Sequence, residues 1–212
     1  YRVPWQVIIR RNWQTWFNVY LFALFSYWVA HYTRRVWLER RFDHVEISFA
    51  AQNVIFVLLV LVRRQHQSID RNPWNQLVAI VAFCSGMLFM GQPGSGGPAA
   101  AGISKVITFA ANVLGILCLL NLGRSFGILI ALREVKTRGL YGIVRHPMYA
   151  TDVILRAGFL VSHWTWLTAS LFVLSTACYV YRALLEERFL SRVPDYREYM
   201  SRVRYRFLPG VF

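Results

Sequence analysis

The chain has 212 residues, 56% hydrophobic and 16% charged, with a formal net charge of +14. A mean hydropathy of +0.37 is too high for an ordinary soluble domain of this length. All but two of the 24 basic residues, Lys105 and Lys136, are arginine. They sit between apolar segments and not on one polar face, which argues against nucleic-acid binding and for arginines that flank membrane helices and meet anionic headgroups.

Six apolar segments follow one another along the chain. The first, 16–31, is aromatic-rich from Trp16 to His31; no small-residue cleavage site closes it, so a cleaved signal peptide is not expected. The second, 45–62, stops at Arg63-Arg64, and the third runs over 75–91. Gln92-Pro93-Gly94-Ser95-Gly96-Gly97-Pro98 is a breaker cluster and predicts an uncharged loop. The fourth segment spans 103–122. The fifth and sixth, 148–162 and 164–183, are parted by His163 alone, which predicts a tight helical hairpin.

Arginine placement orients these segments. The uncharged 92–98 loop belongs on the side away from the cytoplasm, and alternation then puts the N-terminus, the 63–72 loop, the 123–147 stretch and the C-terminus in the cytoplasm. Arg34, Arg35, Arg40 and Arg41 of the 32–44 loop run against that pattern. Cys84, Cys118 and Cys178 each lie inside an apolar run without CxxC spacing, and read as small core residues. No metal-ligand spacing, phosphate-binding glycine loop or GxGxxG element occurs.

Chemistry-bearing residues concentrate after the fourth segment. Asn121-Leu122-Gly123-Arg124-Ser125-Phe126-Gly127 leaves the apolar run with two glycines. Gly139-Leu140-Tyr141 leads to Arg145-His146-Pro147-Met148-Tyr149, where Pro147 opens a helix and puts His146 at its N-terminus, a position that favours an anion. Tyr149 shares a helix face with His146. Glu186-Glu187 end the sixth segment against the helix dipole, which calls for a compensating partner: an arginine or a ligand. Asp195-Tyr196-Arg197-Glu198-Tyr199 reads as a short amphipathic helix, and Arg206 opens an apolar cover through Phe212. Asp152 and Arg156, four apart in an apolar stretch, either pair with each other or line a pocket.

Over residues 121–212 these motifs resemble the integral membrane methyltransferases that include isoprenylcysteine carboxyl methyltransferase and the phospholipid methyltransferases. The resemblance implies an all-α polytopic membrane bundle: residues 1–122 as N-terminal membrane helices, and 123–212 as a cofactor-binding and catalytic region closed by the C-terminal tail. It implies S-adenosyl-L-methionine held on the cytoplasmic side by Gly139, Leu140, Tyr141, Arg145, His146, Pro147, Tyr149, Glu187, Tyr196 and Tyr199. Tyr196 and Tyr199 would stack on adenine or simply pack. Glu186, Glu187 and Arg206 are the catalytic candidates, and Arg124, Asp152 and Arg156 the acceptor-binding ones. The acceptor would be lipidic or small and apolar, methylated on O, S or N, with membrane lipids as surroundings and no nucleic-acid partner. The alternatives are an NADPH-dependent reductase of the sterol and steroid type, with a similar carboxy-terminal helical architecture, and a non-catalytic membrane protein.

Overall fold

The structure is a computed structural model that describes residues 5–40, 42–89 and 91–211, with side chains from Thr15 onward. The chain start, expected in the cytoplasm, and Phe212 of the expected apolar cover lie outside the described residues. Seven α-helices are described: α1 Trp5–Leu38, α2 His44–Val62, α3 Pro73–Cys84, α4 Pro98–Leu122, α5 Pro147–Ser162, α6 Trp166–Leu190 and α7 Pro194–Arg202. Three stretches, His44–Val62, Pro98–Ser125 and Trp166–Leu190, are long and apolar enough to cross a membrane. The third apolar segment is divided: α3 ends at Cys84 and a 3-10 turn, Ser85–Phe89, follows. Ser85 turns its hydroxyl back on the Ala82 carbonyl (2.6 Å), a local bond that competes with helix continuation. Gly86 leaves room for the Arg156 guanidinium beside it.

The helix starts follow their local chemistry. Asp43 caps α2 by accepting from the Glu46 N–H (3.0 Å), and Asn72 caps α3 through the Trp74 N–H, with Pro73 at the first helical position. Thr165 and Thr168 form a reciprocal box at the start of α6. This box and the Phe159–His163 ring stack, centroids 3.8 Å apart, hold the short α5–α6 connection.

Side-chain contacts fix the helix directions. Lys105 pairs with Asp43 (2.8 Å), Asn112 donates to Ser48 (3.0 Å) and Arg124 donates to the Val62 carbonyl (2.9 Å), so α2 and α4 run parallel. Ser162 meets Ser104 (2.9 Å), and Gly158 lets the start of α4 approach through Ile107, so α5 returns antiparallel to α4. The apolar core is built where Leu21 and Phe25 of α1 meet Phe56, Val57 and Val60 of α2, with Leu119 and Phe126 closing it.

Two ends of the bundle result. At one, a short antiparallel pair, β1 Ser68–Ile69 and β2 Ala131–Leu132, joins the 63–72 and 123–135 loops. Gln76 reinforces it by donating to the Ile130 carbonyl (3.0 Å) while accepting from the Ile130 N–H (3.0 Å). At the other end, the Ser95 and Gly96 N–H groups donate to the Ser162 carbonyl, so the 92–98 loop lies on the α5–α6 turn.

Gly139 sits at φ +62°, in the left-handed region, and a Cβ there would run into the Asn121 side chain. Gly139→Ala is therefore expected to cost about 2 kcal/mol, from backbone strain plus the clash, and to lower the melting midpoint by several degrees. An unchanged midpoint would show that this turn tolerates a side chain.

Candidate active site

A cavity of about 140 Å³ lies at the β1–β2 end, between the 125–136 stretch, the start of α5, the end of α6 and α7. Its polar wall includes Arg133, Arg145, His146, Tyr149, Arg182 and Glu186; Phe83, Leu122, Phe126 and Met148 supply an apolar wall. Tyr141, Asp152, Tyr196 and Tyr199 also line it. Of the residues expected from sequence, the cavity thus gathers Tyr141, Arg145, His146, Tyr149, Asp152, Glu186, Tyr196 and Tyr199. It does not expose Gly139, Leu140, Pro147, Glu187, Arg124, Arg156 or Arg206.

The two adjacent glutamates are separated by their surroundings. Glu187 is buried at 4% exposure. Its Oε1 faces Arg145 Nη1 (3.0 Å) and His146 Nε2 (3.2 Å), and its Oε2 accepts from Arg206 Nε (2.9 Å). One carboxylate thereby ties the start of α5, the end of α6 and the tail together. The same junction is fastened through the backbone: the Arg145 and His146 N–H groups donate to the carbonyls of Tyr205 (2.9 Å) and Arg206 (2.8 Å). Arg206, expected as catalytic, is engaged in this clamp. Glu186, one residue away, accepts from the Tyr149 hydroxyl (2.5 Å) and makes no ion pair among the described residues.

Two expected acceptor residues are placed differently from the sequence reading. Arg124 is spent on the last carbonyls of α2, where a cation suits the helix C-terminus. Asp152 and Arg156 do not pair directly, because Tyr179 of α6 comes between them. Its hydroxyl donates to Asp152 Oδ2 (2.6 Å) and accepts from Arg156 Nη2 (3.3 Å), and its ring lies under the guanidinium at 4.6 Å. Asp152 still faces the cavity; Arg156 stands behind Tyr179.

Arg133 and Arg182 also line the cavity, and sequence reasoning left both out of the site. Arg182 is buried and donates to the carbonyls of Ala79 (2.9 Å) and Ile128 (2.6 Å), with its guanidinium 5.0 Å over the Tyr149 ring. An arginine inside an apolar run was the available signal. Arg133 passes over Gly127, where a Cβ would collide with its guanidinium. Burial lowers its pKa and nearby Glu186 raises it in part. Burial pushes the Tyr141, Tyr196 and Tyr199 hydroxyls above their ordinary range, so all three remain neutral donors. Tyr199 donates to the Tyr141 carbonyl (2.7 Å), locking α7 onto the Gly139–Gly142 turn. Among the described residues no His, Cys, Asp and Glu cluster could hold a metal ion.

A helical membrane protein with a polar cavity at one end of its bundle is the class that fold and site define. Residues 100–196 of the chain match the phospholipid methyltransferase family model. Its fold is similar to a solved structure described as the eukaryotic intramembrane Ras methyltransferase isoprenylcysteine carboxyl methyltransferase. That likeness has a TM-score of 0.51 at 14% identity and covers 96% of this chain and 86% of the other. No curated protein matches the chain.

Proposed function

We propose that the chain is an S-adenosylmethionine-dependent methyltransferase acting on a lipidic or small apolar acceptor. The observation that carries this is a cavity with a polar wall around Glu186 and Tyr149 and an apolar wall of Phe83, Leu122, Phe126 and Met148, built mostly from residues 100–196, which match the phospholipid methyltransferase family model. The residues present suit the cofactor. His146 leaves the first turn of α5 without a side-chain cap, so its N–H groups are available to a carboxylate. Arg145 Nε is buried without a hydrogen-bond partner. Tyr196 and Tyr199 offer aromatic faces, and Glu186 offers an acceptor for an amine or hydroxyl. Ligand pockets of that molecular size usually enclose roughly 300 Å³ or more, so binding would shift the α7 and 133–138 cover outward.

When bound, S-adenosylmethionine supplies an electrophilic methyl group on a sulfonium. The chain's residues position the acceptor and exclude water. Tyr149 orients the Glu186 carboxylate by its hydrogen bond, and Glu186 takes the proton of an amine or thiol acceptor as the nucleophile is released. A carboxylate acceptor needs no such step, and the apolar wall would seat the hydrocarbon part of either. Through Glu187 and Arg206 the clamp maintains the cavity and holds Arg145 and His146 on its wall.

Calorimetry with S-adenosylmethionine, its demethylated product and NADPH tests the reading. The first two are expected to bind and NADPH not to; NADPH binding alone would point to a reductase. His146→Ala is expected to weaken cofactor binding by about 1–3 kcal/mol, by loosening the start of α5. Unchanged affinity in a folded variant would remove His146 from the site.

The cavity end is assigned to the cytoplasm, where arginine-rich 63–72 and 123–147 lie together. A cysteine replacing Ser95 in intact cells is expected to react with an impermeant reagent from outside. Labelling only after membrane disruption would reverse the orientation.

A further inference from the structure

A second, smaller recess lies beside the main cavity, where α1 meets the turn that leaves α2. Phe17, Asn18, Arg63, His66, Leu129 and Arg133 line it. Its charges are not balanced. Arg64 is paired with Glu134 (2.5 Å), whereas among the described residues Arg63 has the amide oxygen of Asn18 and the ring of Phe17, 5.8 Å away. Among the described residues Arg133 donates to the Arg64 carbonyl (3.3 Å). Neither Arg63 nor Arg133 forms a salt bridge among the described residues, although Glu186 lies near Arg133 on the main-cavity side, and Arg63 Nη1 is buried without a hydrogen bond. Burial and the charge of Arg133 push the Arg63 pKa down to about 10, and burial with both arginines lowers that of His66. Two guanidinium groups held against mutual repulsion, one with an unused donor, make a site suited to an anion.

Position indicates the class of anion. Val62, the last residue of a membrane-length helix, adjoins the recess, and Trp16 and Tyr20 are exposed on the neighbouring face of α1 (59% and 61%). Aromatic side chains at this level accompany lipid headgroups.

We infer that the mouth of this recess, whose enclosed space of about 10 Å³ holds no more than a water, binds a phosphate group, with the guanidinium groups of Arg63 and Arg133 as its principal ligands. Arg133 and Leu129 line both the recess and the main cavity, so a phosphate held here fixes the position of a cation that also faces Glu186. Binding itself does not rest on the methyltransferase reading.

The test is equilibrium binding of radiolabelled short-chain phosphatidic acid, which carries no amine, thiol or carboxylate to be methylated, to the full chain in nonionic detergent. Saturable binding to a single class of site is expected. Arg63→Gln and Arg133→Gln should each weaken it about tenfold or more, the loss of one charge-assisted contact. Arg63→Lys keeps the charge and should retain most of the affinity, which covers the case of a poorly folded glutamine variant. Arg34→Gln, at the opposite end of the bundle, should leave binding unchanged, and Glu186→Gln should not weaken it. Displacement by inorganic phosphate would identify free phosphate as sufficient; resistance to it would assign the site to a lipid-borne phosphate. Undiminished affinity in both folded arginine-to-glutamine variants overturns the site. So does an equal loss in Glu186→Gln, which would place the lipid in the main cavity.

Discussion

Glu187→Gln is expected to cost about 3–5 kcal/mol of stability, the penalty for leaving buried charges without their counter-ion. The carboxylate is 4% exposed and faces Arg145, His146 and Arg206 within 3.2 Å. Glutamine keeps the shape but presents one neutral oxygen and an NH₂ that itself donates, so at least one guanidinium faces another donor in a dry site. The melting midpoint should fall sharply, and proteolysis should reach the 203–207 segment first. A variant with the native midpoint and reduced turnover would instead return Glu187 to the catalytic role expected from sequence.

Glu186→Gln should behave in the opposite way. Among the described residues Glu186 has no ion-pair partner to strand, and the amide can still accept from Tyr149, so the midpoint should move little. Methyl transfer should fall by about 10²-fold or more if the carboxylate takes the acceptor's proton, within the range for positioned acid–base groups. Tyr149→Phe should give a smaller loss by releasing that carboxylate. Near-full activity in Glu186→Gln would mean that the acceptor arrives already ionised, as a carboxylate would, and needs no base.

Much of this was legible in the sequence because it is local. Pro147 after His146 announces the start of α5, and apolar runs mark where helices lie. What was not legible depends on which chain segment arrives opposite. Neighbouring residues on a helix point about 100° apart, so Glu186 and Glu187 had to differ, but only the docked tail decides which of them meets Arg206. The spacing of Asp152 and Arg156 left open a direct pair or a pocket lining, and nothing local announced that Tyr179 would stand between them. Arg182 bonds carbonyls far away in the chain, Ala79 and Ile128, and its role follows from their approach alone. The division of the third apolar segment was half visible: Ser85-Gly86 is a weak point, yet the broken turn is explained by the Arg156 side chain that Gly86 admits.

The backbone bonds from Arg145 and His146 to Tyr205 and Arg206 have a consequence for biogenesis. The ribosome makes 203–207 after every helix of the bundle. The membrane helices can therefore be inserted while the start of α5 still lacks its clamp, and during that interval Glu187 must find water or lipid headgroups in place of Arg206. A chain interrupted before Tyr205 would be a membrane protein by every test of insertion, yet its cavity would lack the backbone bonds that close it. Ligand affinity, and not membrane residence, is the measure of a finished molecule.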